Sequence, residues 1–125
     1  MIFSRCKMEN KINSEYKDKN FLFICDFSQS RSKYFAEKFI EKGYNAKFRG
    51  FSEDADYPLS EKIIDWSNMI IVLSNSWMYE KEFKNWLKYA ESQGKEIRYC
   101  MIEDNPQIFP KEVEKILRWF EKNKK

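Results

Sequence analysis

Histidine is absent from the 125 residues, which excludes Ser-His-Asp and Cys-His catalysis and the common histidine-based zinc sites. Cysteine is scarce. Cys6, Cys25 and Cys100 stand far apart and form no Cys-x-x-Cys pair. The first residues lack the apolar run of about 7–15 residues that marks a secretory signal. Three reduced thiols in a cytoplasmic protein are therefore expected, not a disulfide framework. No apolar run approaches the roughly 18 residues of a membrane helix. There is no internal repeat and no low-complexity linker. Charge of one sign is also missing: 23 Lys+Arg against 20 Asp+Glu leave a net +3, spread along the chain. That balance argues against a nucleic-acid partner. What is plentiful is apolar material. Hydrophobic residues make up 42%, with 11 Phe, 7 Tyr and 4 Trp, enough for the core of one small domain.

Residues 1–19 are polar after their first few positions and read as a mobile leader before a single domain over 20–125. Phe21-Leu22-Phe23-Ile24-Cys25 is a continuous apolar run of strand length, the mark of a strand buried on both faces. A helical stripe of Phe35, Ala36, Phe39 and Ile40 follows from Ser32, and Gly43 stands where a C-terminal cap belongs. A short strand is expected over 45–48 and a polar, acidic loop over 49–58. Leu59, Ile63 and Ile64 mark a second helix, and Met69-Ile70-Ile71-Val72-Leu73 a second buried strand. Tyr79, Phe83, Trp86, Leu87 and Ala90 recur at helical spacing up to Gly94. A strand over 97–102, a loop with Pro106 and Pro110, and a helix carrying Val113, Ile116, Leu117 and Phe120 complete the chain. Strands alternating with helices predict a small doubly wound α/β fold. Its four parallel strands lie in the order 2-1-3-4, with helices on both faces. Ligands bind such sheets beyond the carboxyl ends of the strands, beside the first strand.

The loop at that place reads Cys25-Asp26-Phe27-Ser28-Gln29-Ser30-Arg31-Ser32. A loop of this length, ending at a helix N-terminus, can curl its backbone N–H groups around an anion. Arg31 can clamp two oxygens of a phosphoryl group, with the Cys25 sulfur in line below. Positive surroundings lower a thiol from its ordinary value of about 8.5, so no histidine is needed. Ser32 can donate to the sulfur, which stabilises the thiolate and eases its later departure.

The stretch FLFICDFSQSRSKYFAEKF resembles the phosphate-binding loop of the low-molecular-weight protein tyrosine phosphatases and their relatives. In these a strand leads into Cys-x5-Arg-Ser and then a helix with an Ala-Glu pair, here Ala36-Glu37. The segment YPLSEKIIDWSNMIIVL is similar to a short helix and third strand of that superfamily, and the likeness runs more weakly through about residues 20–120. The resemblance implies phosphomonoester hydrolysis through a phosphocysteine at Cys25. Arg31 would hold the transition state, and the substrate would be a phosphorylated protein or a small phosphomonoester. This chain departs from the family in carrying Lys33 where proline is usual, Ser28 where asparagine is common, and Phe27 where the better-known members have glycine. Asp26 sets a carboxylate beside the nucleophile and is expected to turn outward; turned inward, it would repel phosphate.

By the same resemblance an Asp after the last strand protonates the leaving group. Asp104 fits that place, with Glu103 the alternative and a solvated acidic loop the plain reading. Phe27, Tyr57, Trp77 and Phe109 are candidates for an aromatic pocket wall, and Arg49 and Lys33 could attract an anion. Three other functions use related scaffolds: a phosphate- or phosphopeptide-binding module without turnover, an arsenate reductase, and a phosphocysteine carrier. The reductase would need further thiols, while Cys100 reads as a small core residue and Cys6 lies in the leader. Carriers generally do without the arginine. Oligomeric state is not legible.

Overall fold

The computed structural model describes residues 5–7, 18–26, 30–52, 54–74 and 80–123, with the side chains of 5–7, 80, 82, 83 and 123 left out. Phe27, Ser28, Gln29, Trp77 and Tyr79 lie outside the described residues.

Among the described residues nine elements follow in chain order, strands and helices alternating from β2 onward: β1 (Arg5–Lys7), β2 (Asn20–Cys25), α1 (Arg31–Glu41), β3 (Asn45–Gly50), α2 (Glu61–Trp66), β4 (Met69–Val72), α3 (Glu80–Ser92), β5 (Glu96–Met101) and α4 (Phe109–Asn123). Strands β3, β2, β4 and β5 are parallel neighbours, the expected 2-1-3-4 order. β2 lies between β3 and β4, with Phe23 beside Phe48 on one flank and Ile71 on the other.

The period-2 alternation of the apolar runs explains why both faces are covered. Phe21 and Phe23 enter one core with Met69, Ile71 and Leu73. There they meet Phe35, Ala36 and Phe39 of α1 and Val113, Ile116, Leu117 and Phe120 of α4. Leu22 and Ile24 enter the other, with Ile70, Val72, Ile63 and Ile64 of α2 and Leu87 and Ala90 of α3. The first core is aromatic. Phe21 packs edge-on to Phe120 at 5.1 Å between centroids, and Phe23 to Phe39 at 4.8 Å. Such pairs add about 0.5–1.5 kcal/mol beyond the area they bury.

Four expectations are corrected. The sheet has a fifth strand: β1, inside the segment read as a leader, pairs antiparallel with β5, Cys6 standing opposite Cys100. Three residues carrying two charges give no apolar alternation, and charged residues are common on sheet edges. Cys100 is fully buried but disulfide-bonded, not a reduced core thiol; among the described side chains Cys25 is the free cysteine. Ile40 is 51% exposed beside a fully buried Phe39, so it lies off the face that α1 buries. Pro110 falls inside the first turn of α4, where a missing N–H costs nothing, so the helix starts before the proline and not after it. Among the described residues no helix is long and apolar enough to cross a membrane.

Candidate functional site

β2 ends at Cys25, and the described chain resumes at Ser30, the cap of α1. Backbone bonds tie the carboxyl end of β2 to its neighbours. Phe51 N donates to Cys25 O at 2.9 Å, Leu73 N to Ile24 O at 2.8 Å, and Ile102 N to Leu73 O at 2.9 Å. The loops after β3, β4 and β5 are thereby drawn to one edge, around the loop that follows β2.

Cys25 is 2% exposed, and its Sγ lies 3.0 Å from Ser32 Oγ, itself fully buried. α1 starts at Arg31, one residue earlier than the apolar stripe suggests, and this sets Ser32 in the first turn facing the sulfur. With the hydroxyl as donor, the contact stabilises negative sulfur.

Arg31 is held by one arm. Its Nη1 donates to the Ile102 carbonyl at 2.9 Å, while Nε is buried with no hydrogen-bond partner among the described residues. In a guanidinium, Nε–H and the far Nη form a parallel fork that matches two oxygens of a carboxylate or phosphoryl group. The anchored arm leaves that fork edge for a ligand. A buried unpaired donor costs about 1–3 kcal/mol; among the described residues Arg98 Nε and Glu112 Oε1 are buried and unpaired as well.

Asp26 is turned inward, against the expectation that it faces out. Its Oδ1 accepts from Ser74 Oγ at 2.9 Å, and its Oδ2 stands 3.9 Å from Arg31 Nη2. Its main-chain oxygen also accepts from Ser52 N at 3.0 Å. The cause lies in Ser74 and Ser52, both 3% exposed at the ends of neighbouring strands. Sequence reading missed these two serines. The available signal was their place directly after buried runs, at the edge where ligands bind.

Asp104 comes to the same edge: Ser30 Oγ donates to its Oδ1 at 2.7 Å. Ser30 would ordinarily cap α1, yet its side chain makes no capping bond. Asp104 and Glu103 are both exposed, and of the two side chains only that of Asp104 is tied to the Cys25 loop by a described bond. Of the wall candidates, Phe109 is not at the site. It is 4% exposed and packs on Tyr34 and Phe35 inside the aromatic core. Tyr57 is 52% exposed, edge-on to Phe48 and under the Arg49 guanidinium. Burial pushes the Arg49 guanidinium below its usual range. Lys33 is exposed. Among the described residues no cluster of carboxylates and thiols has the make-up of a metal site.

No protein-family model, no curated protein and no solved structure matches the chain.

Proposed function

We propose that the protein hydrolyses phosphomonoesters through a covalent phosphocysteine at Cys25. The observation that carries this reading is the buried Cys25–Ser32 contact beside an Arg31 whose Nε has no hydrogen-bond partner among the described residues. The phosphoryl group docks on the Arg31 fork. The Cys25 thiolate attacks phosphorus, the S–P bond forms and the P–O ester bond breaks. The leaving oxygen takes a proton from Asp104. Water then attacks phosphorus and gives its proton to the Asp104 carboxylate. The S–P bond breaks, inorganic phosphate leaves, and the thiolate is restored. Arg31 acts through both steps, matching the charge that spreads over the equatorial oxygens. Phosphoproteins and small phosphomonoesters are the substrate classes, and the steps need neither metal nor cofactor.

A second reading, an oxyanion-binding module without turnover, is favoured by one observation: the Asp26 carboxylate beside Arg31. Turnover separates the two. Wild-type protein is expected to hydrolyse p-nitrophenyl phosphate, with vanadate inhibiting and Cys25→Ser inactive. Hydrolysis that survives Cys25→Ser would overturn the proposal. Vanadate binding with no hydrolysis would leave the binding module standing.

A further inference from the structure

Resting on that reading of the site, we infer that Asp26 is a specificity residue that selects the singly charged, hydrogen-bearing form of the phosphoryl group over the doubly charged form. Asp26 is not a loose side chain. It is fixed from three elements at once: the Ser74 hydroxyl on Oδ1, the Ser52 amide on its main-chain oxygen, and the Arg31 guanidinium near Oδ2.

At 3.9 Å the Asp26–Arg31 contact is an ion pair beyond hydrogen-bond range, so the carboxylate neutralises the guanidinium without occupying its donors. With Nη1 on the Ile102 carbonyl and Nε unpaired, a ligand takes the Nε–Nη2 edge, and Nη2 is the atom that Oδ2 faces. Any oxyanion there lies against a fixed negative charge. A dianion meets repulsion that the paired guanidinium no longer outweighs. A monoanion brings a P–OH, which donates to Oδ2 and turns the carboxylate from an obstacle into a partner.

Among the described residues the charged and titratable groups around Asp26 are few. α1 supplies Arg31 and β2 supplies the Cys25 thiol; the loops after β3 and β4 present the uncharged Ser52 and Ser74. The remaining described carboxylates of this loop cluster, Asp54, Asp56, Glu103 and Asp104, are all exposed.

The test uses phenyl phosphate, an aryl phosphomonoester whose second ionisation falls near pH ~6. The Cys25→Ser background prevents turnover and removes the thiol from the titration. Isothermal titration at pH 5 and pH 7.5 is expected to show affinity falling about tenfold with rising pH in Cys25→Ser. It should hold level or rise when Asp26→Asn is added, so that the double variant binds about tenfold tighter at pH 7.5. Asp26→Ser removes the same charge and replaces the amide if that variant does not fold. Equal slopes in the two backgrounds overturn the role of Asp26 and leave the phosphatase reading intact. Saturable binding by neither protein overturns both.

Discussion

The two ends of the four parallel strands are built from similar polar residues and arranged in opposite ways. At the amino end, Asn20 donates its backbone N–H to Asn68 Oδ1 at 2.8 Å and its side-chain amide to the Trp66 carbonyl at 2.9 Å. Asn68 N returns a bond to Asn20 O, and Glu96 N donates to Asn68 O. Lys95 Nζ and Tyr89 close the neighbouring turn on Asp65. These groups satisfy the starts of three strands and the end of α2. At the carboxyl end the bonding is incomplete. Arg31 Nε is buried with no partner among the described residues, the Ser30 hydroxyl leaves its helix for Asp104, and Asp26 stops 3.9 Å short of its arginine. Polar satisfaction at one end marks structure. At the other, an unpaired guanidinium nitrogen, a state shared by Arg98 Nε, lies beside a buried thiol and a fixed carboxylate, the grouping on which the proposed site rests.

The contrast can be broken first at the sulfur. Cys25→Ser is expected to lower p-nitrophenyl phosphate hydrolysis by about 10³-fold or more, with the thermal midpoint nearly unchanged, since one buried atom is exchanged for a similar one. A residual rate within tenfold of wild type would remove Cys25 from the chemistry. Next comes Asp104→Asn. It should slow alkyl phosphates by about 10²-fold or more and aryl phosphates far less, because a phenolate leaves without a proton donor. Equal losses on both substrates would assign Asp104 to loop placement through Ser30.

The amino end should respond in the opposite currency, stability without activity. Asn68→Ala leaves Asn20 N without its acceptor at an exposed position and is expected to cost about 1–1.5 kcal/mol in urea denaturation at unchanged kcat/KM. A matching loss of turnover would show that the two ends are coupled. The smallest effect is expected at Tyr44, just before β3, whose hydroxyl donates to Glu121 at 3.2 Å. Burial, and then the charge and hydrogen bond of Glu121, raise the Tyr44 phenol above its usual range. The folded state therefore holds this proton more tightly than the unfolded chain. The stability it gives is whole below pH ~10 and is lost as pH climbs past that point. Tyr44→Phe is expected to cost about 0.5–1.5 kcal/mol at pH 7, and to flatten the alkaline loss seen in wild type. An unchanged alkaline limb would detach Tyr44 from it.

Fold and strand order were legible because Phe21–Cys25 and Met69–Val72 are uninterrupted apolar runs whose alternate residues must each find a helix. The loop after Cys25 was legible through the Cys25, Arg31 and Ser32 spacing, and the structure brings Ser32 onto the sulfur as that spacing suggests. What stayed hidden has long-range causes. Asp26 turns inward because of Ser74, 48 positions away. The Arg31 arm is fixed by a carbonyl 71 positions on, and backbone carbonyls leave no trace in residue type. Phe109 looked like a pocket wall by its place in a loop, yet α4 begins there and folds it into the aromatic core. β1 escaped notice because an edge strand can borrow its order from β5.

The most direct measurement is a crystal structure with orthovanadate. The account predicts vanadium on Cys25 Sγ, with two equatorial oxygens about 2.7–2.9 Å from Arg31 Nε and Nη2. Vanadate seated elsewhere, or Arg31 Nε still unpaired with vanadate over the sulfur, would contradict it.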